Sequence, residues 1–352
     1  MKRPTQAPLE FGGQTVAAGE RRLIELPVGS LYTRTPVSLP VHIVRGCEPG
    51  PTMFVSAALH GDEINGVEII RRLLLQPDMG QLRGTLLAVP IVNTLAFLHQ
   101  SRYLPDRRDL NRSFPGSARG SLAARLARMF LTEIVGRSQY GVDLHTGALH
   151  RPNLPHIRAD LQQPRMLALA QAFGVPLLLN STPTPGTLRA YTTEQGIPVI
   201  LYEAGEALRL DELAIRTGVR GVLSVMRALE MLPPVRRGAV QMPEPVVARS
   251  ATWVRAPASG MLRTKVALGA QVLKGEALGV IGDPLGGDET PVLAASHGVV
   301  VGRTALPLVY EGDALFHLAR FDAAETAAGV ARNIATVRRM LKRGENARPR
   351  DT

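Results

Sequence analysis

The chain has 352 residues, 45% of them hydrophobic and 20% charged, which is ordinary globular usage and excludes a disordered or fibrous chain. Its length exceeds what one compact core usually holds, so two or three domains are expected. The formal charge of +11 rests on 41 basic residues, of which only Lys2, Lys265, Lys274 and Lys342 are lysine. The arginine clusters at 107–108, at 236–237 and along the tail 338–350 match no RNA-recognition, zinc-finger or helix-turn-helix pattern, so nucleic acid is not an expected partner. A basic rim that draws in anionic small molecules is the better reading of the charge. No apolar run approaches the roughly 18–20 residues that span a bilayer, and the opening MKRPTQAPLEFGG lacks the apolar stretch of a signal peptide. The expectation is a soluble cytoplasmic protein with no membrane partner, in which the lone Cys47 forms no internal disulfide.

Residues 41–59 (VHIVRGCEPGPTMFVSAAL) read as two β-rich runs broken by the turn residues Glu48, Pro49, Gly50 and Pro51. His60-Gly61-Asp62-Glu63 follows directly, and INGVEIIRRLLL then has helical apolar spacing, which places His60 at a strand end and Glu63 at the mouth of a helix. Residues 84–92 form another short apolar run. The stretch 93–117 is long, polar and rich in Arg, Asp, Asn and Pro, a kind of irregular segment that is often functional. Ser121 suits an N-cap for a helix carrying Leu122, Leu126, Met129 and Phe130 on one face, and YGVDLH at 140–145 reads as a strand. Further on, 166–173 reads as helix, 175–179 and 197–202 as strands, and 211–232 as a long amphipathic helix. Such alternation implies an α/β fold, with a mixed, largely parallel sheet and helices on both faces.

After Pro233-Pro234 the helical period disappears, and short β-like runs spaced by glycine continue to about residue 319. The pattern Gly260, Gly269-x-x-Val272-x-x-Gly275, Gly298, Gly312-Asp313 resembles the barrel-sandwich of biotinyl and lipoyl carriers. Those carriers present a modified lysine at a hairpin tip, whereas VIGDPLGGDETPV at 280–292 has none, so this all-β unit reads as structural or substrate-shaping. The expected division is an α/β catalytic domain at 1–237, an all-β domain at 238–321, and a helix with a basic tail at 322–352.

The residues that carry chemistry are few. A His and a Glu three positions apart at a strand-to-helix junction can face one point and offer a nitrogen and an oxygen to a metal. Asp143-Leu144-His145 ends a separate strand, and alternation puts Asp143 and His145 on one side. His145 then completes a His-Glu-His set, with Asp143 placed to orient an imidazole. Such a set leaves a position for water, the catalytic arrangement of zinc. Hydrolysis also needs a base, and Glu203, at the end of IPVILYE, is the candidate; Glu206 better suits a helix N-terminal acid.

Together with Ser101-Arg102-Tyr103, Asp109-Leu110-Asn111-Arg112-x-Phe114 and Tyr202-Glu203-Ala204-Gly205, these motifs occur in an order that resembles the succinylglutamate desuccinylase and aspartoacylase family, a branch of the zinc carboxypeptidase clan. The resemblance implies that His60, Glu63 and His145 bind one zinc ion per chain. It implies that Arg102 polarises the scissile carbonyl, with Arg107 as the alternative, and that Asn111 and Arg112 hold a substrate carboxylate. Arg189 is the candidate for a further carboxylate-binding arginine, and Glu203 for the general base and acid. The implied activity is removal of an acetyl or succinyl group from an N-acyl amino acid; N-acetyl-diaminobutyrate and succinylglutamate both fit. The alternatives are a zinc carboxypeptidase acting on a peptide and a degenerate, non-catalytic binding module; a homo-oligomer is left open. His150 and His156 are read as ordinary loop histidines at the pocket rim. His42, His99, His297 and His317 receive no role, and Trp253 is assigned to packing.

Overall fold

The structure is a computed structural model that describes residues 6–234, 244–321 and six positions between 329 and 336. The expected domain boundary at 237/238 lies outside the described residues, as does most of the expected helix and tail at 322–352; the six described positions after 328 are helical. A short hairpin, β1 (Leu9–Phe11) and β2 (Gln14–Val16), precedes two long antiparallel strands, β3 (Arg21–Ser30) and β4 (Pro36–Arg45). There follow β5 (Glu48–Ala57), α1 (Asn65–Leu74), β6 (Arg83–Val89), α2 (Thr94–Leu98), α3 (Leu122–Glu133), β7 (Tyr140–Gly147) and β8 (Asn153–Ala159). The first half of the chain's β/α alternation ends with α4 (Pro164–Phe173), β9 (Leu177–Asn180), α5 (Leu188–Glu194), β10 (Val199–Glu206) and α6 (Glu212–Ala228). Between 244 and 321 every regular element is a strand: β11 (Val246–Ala248), β12 (Ser250–Arg255), β13 (Gly260–Thr264), β14 (Gln271–Val272), β15 (Ala277–Gly282), β16 (Glu289–Leu293), β17 (Gly298–Arg303), β18 (Leu308–Val309) and β19 (Ala314–Arg320).

The main sheet runs β12-β19-β17-β8-β10-β7-β5-β6-β4-β3. Its centre, β10-β7-β5-β6, is parallel, and both flanks are antiparallel. Parallel strands need cover on both faces, and β5 provides for it by alternation. Met53 and Val55 face one core with Ile69 of α1, Phe173 of α4 and Val222 of α6. Phe54 faces the other, edge-on to Phe130 of α3. Ser121 caps α3 by accepting from the Ala124 amide, as its position before the apolar stripe requires. Among the described residues no helix is long and apolar enough to cross a membrane.

Two expectations shift. The break before β5 falls at Gly46 and Cys47, while 48–51 already belong to the strand, with an irregular register between Glu48 and Thr52. The strand tolerates this because Gly50 and Gly84 let the two backbones approach closely; a Cβ on Gly50 would lie 2.7 Å from the Gly84 nitrogen. Glu206 does not begin a helix: it ends β10, and Asp211 caps α6 instead.

The C-terminal strands enclose their own core of Val254, Leu262, Leu278, Val300 and Phe316. They also continue the main sheet, since β17 pairs with β8 and β11 with β9. Leu154, Leu177, Ala248, Val299 and Ala319 bury the seam.

Candidate active site

Three neighbouring parallel strands, β5, β7 and β10, each deliver a polar side chain at the carboxyl end, where ligands bind in open α/β sheets. His60 lies just beyond β5, on a turn that passes so close to α2 that a Cβ on Gly61 would overlap the Ala96 backbone. His145 and Glu203 are direct register partners on β7 and β10. Glu63 sits two residues before α1 and reaches back to both imidazoles.

The geometry of this trio is that of a metal centre. Glu63 Oε1 lies 2.6 Å from His60 Nδ1 and its Oε2 lies 2.7 Å from His145 Nδ1. The ligand atoms of all three fall within 4.8 Å of one another, and all three side chains are buried. Each remote ring nitrogen is backed by an aspartate: His145 Nε2 stands 2.8 Å from Asp143, and His60 Nε2 stands 3.1 Å from Asp109. Carboxylates behind metal-binding imidazoles fix tautomer and ring orientation, so the donor set fits a divalent metal. Asp143 is itself held by the Ser56 hydroxyl at 2.7 Å.

Electrostatics agree with this. Burial opposes charge on His145, but Asp143 and Glu63 outweigh it and push the imidazole well above its ordinary pKa. Burial likewise works against Glu63, yet His60 and His145 hold its carboxyl far below the usual range. These opposed shifts reflect one carboxylate shared between two buried imidazoles.

Glu203 faces the same cavity, which has a volume of about 230 Å³. Its Oε1 accepts from Asn153 Nδ2 at 2.8 Å and its Oε2 from Arg158 at 3.3 Å. Burial raises the carboxyl pKa, and Arg158, His156 and His145 more than reverse it, so Glu203 is ionised. Arginines 102, 112, 151, 158 and 189 all line this cavity, against the acids Glu63 and Glu203.

The structure brings His60, Glu63, Arg102, Asn111, Arg112, His145, Arg189 and Glu203 to one cavity. Arg102 is held by Asp109 at 3.0 Å; the alternative, Arg107, is exposed and does not line the cavity. Asn111 Oδ1 accepts from the Leu188 amide at the start of α5. Arg189 is buried, donates to the Ser181 carbonyl at 2.5 Å, and has its pKa lowered to about 10 by burial and the neighbouring Arg158. The Nε atoms of Arg158 and Arg189 are buried without a partner among the described residues.

Several residues were not expected here. Asn153 and Arg158 on β8, Arg151 before it, and Trp253 on β12 all line the cavity. Trp253 is therefore a wall and not only packing; it stacks on His317 at 4.7 Å and carries the Arg151 guanidinium 5.4 Å from its ring. His156 is not a loop residue: it lies in β8, buried, as the cross-strand partner of Glu203. His150 does occupy a loop, and its amide donates to Glu206. Asp109 was visible only as part of a motif.

Over residues 49–229 the chain matches the succinylglutamate desuccinylase/aspartoacylase catalytic domain. It is 27% identical to an N-alpha-acetyl-L-2,4-diaminobutyric acid deacetylase of Halomonas elongata, over 89% of this chain and 94% of that protein. Among solved structures, a succinylglutamate desuccinylase/aspartoacylase from Rhodobacter sphaeroides aligns with a TM-score of 0.75 at 26% identity, covering 85% of this chain and 94% of the other. The ectoine utilization protein EutE (DoeB) from Ruegeria pomeroyi shares the fold, with a TM-score of 0.77 at 24% identity over 91% of this chain and 100% of its own. With its ordered motifs gathered at the strand ends of this same fold, the chain belongs to the succinylglutamate desuccinylase and aspartoacylase family.

Proposed function

We propose that the protein is a zinc-dependent amidohydrolase that removes a small acyl group from an N-acyl amino acid. The observation that carries this reading is the convergence of His60, Glu63 and His145 with an ionised Glu203 in one arginine-lined cavity. The trio would hold one zinc ion per chain, which supplies a Lewis acid and a nucleophilic water at neutral pH. Glu203 takes the proton of the attacking water at a carboxylate oxygen and returns it to the departing amine nitrogen. Arg102 donates to the carbonyl oxygen as negative charge grows there. Asn111 keeps its amide nitrogen as a donor, because its oxygen is engaged by Leu188, and with the Arg112 fork it holds the α-carboxylate. A cytoplasmic location suits the free Cys47, which stays reduced there.

The acyl group has two readings. Likeness to the Halomonas elongata enzyme favours an acetyl group on diaminobutyrate. The neighbouring guanidiniums of the partly exposed Arg158 and the buried Arg189 favour a second carboxylate, on a succinyl group or an acidic side chain, and disfavour the ammonium of diaminobutyrate. A cavity of about 230 Å³ suits a substrate of this size better than a polypeptide. The test is zinc content measured together with hydrolysis of N-acetyl, N-succinyl and N-formyl amino acids, for the native protein and Glu203→Gln. The expected result is one zinc per chain and activity on one acyl class that falls about 10²–10⁴-fold in the variant. A protein that binds no metal, or a variant with full activity, would bring the non-catalytic binding module forward.

A further inference from the structure

We infer that the C-terminal β region positions Glu203, acting through Asn153; the inference rests on the reading of Glu203 as the base. The segment 150–153 lies at the mouth of the cavity, and each of its residues in turn is attached to the β region. The His150 carbonyl accepts from the Ala305 amide at 2.7 Å, and the Arg151 guanidinium lies over Trp253. The Pro152 carbonyl accepts from the Arg303 amide at 3.4 Å, and Asn153 pairs with Gly302 as the contact between β8 and β17. Backbone held at His150, Pro152 and Asn153, with the Arg151 side chain anchored between them, has little freedom left, so the Asn153 side chain starts from a fixed point.

That side chain occupies a slot between two glycines. A Cβ on Gly302 would overlap Asn153 Oδ1, and a Cβ on Gly147, at the end of β7, would come within 3.1 Å of Asn153 Cγ. Confined there, the carboxamide aims Nδ2 at Glu203 Oε1, 2.8 Å away. The register breaks on both sides of it, between Glu203 and Gly205 on β10 and between Val300 and Gly302 on β17. Bulges beside active sites re-aim side chains, and this pair turns the strand ends toward the carboxylate. Asn153 thus acts as a positioning residue: it holds Oε1 at 2.8 Å and so leaves Oε2, which Arg158 faces at the longer 3.3 Å, to exchange the proton. The β region supplies the surface against which Asn153 is fixed.

The experiment is a double-mutant cycle in the full-length, metal-loaded protein, using Asn153→Ala and Gly302→Ala, with kcat and KM measured on whichever N-acyl amino acid the panel identifies. Asn153→Ala is expected to lower kcat about tenfold and leave KM nearly unchanged, since it removes one hydrogen bond to the base and no contact assigned to substrate. Gly302→Ala, more than a hundred residues away in sequence, is expected to do the same, because its methyl group displaces the amide. Together they should be no worse than Asn153→Ala alone, since the target of the clash is gone. Full kcat in Asn153→Ala, a loss confined to KM, or effects that multiply in the double variant would each overturn the inference. A matched thermal unfolding midpoint separates these outcomes from general destabilisation. Glu203→Gln, run alongside, separates them from failure of the base assignment: if that variant stays active, the reading of Glu203 falls, whatever Asn153→Ala does.

Discussion

Asp143 and Asp109 determine how firmly His145 and His60 can present their inner nitrogens. Each imidazole has one nitrogen toward Glu63 and the other toward an aspartate, so removing an aspartate frees a ring to rotate and makes it a poorer donor. Asp143→Asn keeps the shape of a wholly buried side chain and removes its charge. The variant should bind zinc about 10–100-fold more weakly, as read by competition with a chromogenic chelator. Affinity equal to the parent's would mean that Asp143 serves only to hold Ser56. These candidate metal-site residues stand out in the sequence because His60 and His145 lie where apolar runs stop at strand ends, and Glu63 lies just before the helix that follows His60. Asn153, Arg158 and Trp253 carry no such mark. Their positions depend on strand pairing between β8 and β17 and on the closeness of β12, relations that join residues far apart in sequence and leave no local pattern.

At the scale of elements, α1 and α6 are tied together by a chain of charges. Glu68 accepts from Arg71 and Arg72 at 2.6 Å each, and Arg72 reaches Glu212 at 2.8 Å. The Arg71 and Arg72 hydrogen bonds pull the Glu68 carboxyl down to about 2. A depressed acid contributes its stability above the unfolded-state pKa and loses it as pH falls through the folded value. The advantage of the parent over Glu68→Gln should therefore be complete above about pH 4.5 and shrink toward pH 2, as urea unfolding of both proteins would measure. The group is near the surface, so the full difference should be no more than about 1 kcal/mol. A difference independent of pH would place the effect in packing rather than charge. The helix itself was legible, since α1 keeps a clean apolar stripe. By contrast α5, with the sequence LRAYTTE, is too short and polar to announce itself. β3 and β4 are interrupted by Pro27, Pro36 and Pro40, which read against a strand. The structure accommodates these prolines because β3 is an edge strand and β4 pairs with β6 only from His42 onward.

For the whole molecule, the question is whether the β region is a second domain or a continuation of the first. Composition suggested a boundary, because the helical period stops after Pro233-Pro234, and the β region does possess its own core. Yet β8 and β17 place both regions in one hydrogen-bonded sheet, β11 adds a parallel strand to β9, and Leu154, Leu177, Val299 and Ala319 bury the seam. Undocking would expose that apolar seam and unpair the edge of β8, both of which cost free energy. The two regions should therefore unfold as one cooperative unit. The chain offers a direct test, since its single tryptophan, Trp253, lies in the β region, at the junction with the cavity. Its fluorescence reports on the β region and its docking, whereas helices α1–α6, which all precede Pro233, supply most of the helical far-UV circular dichroism of the described residues. In urea the two signals should trace one transition with a common midpoint. If fluorescence changed at lower urea than the helical signal, the β region would be a separable domain, and its hold on segment 150–153 would be too weak to fix a catalytic side chain.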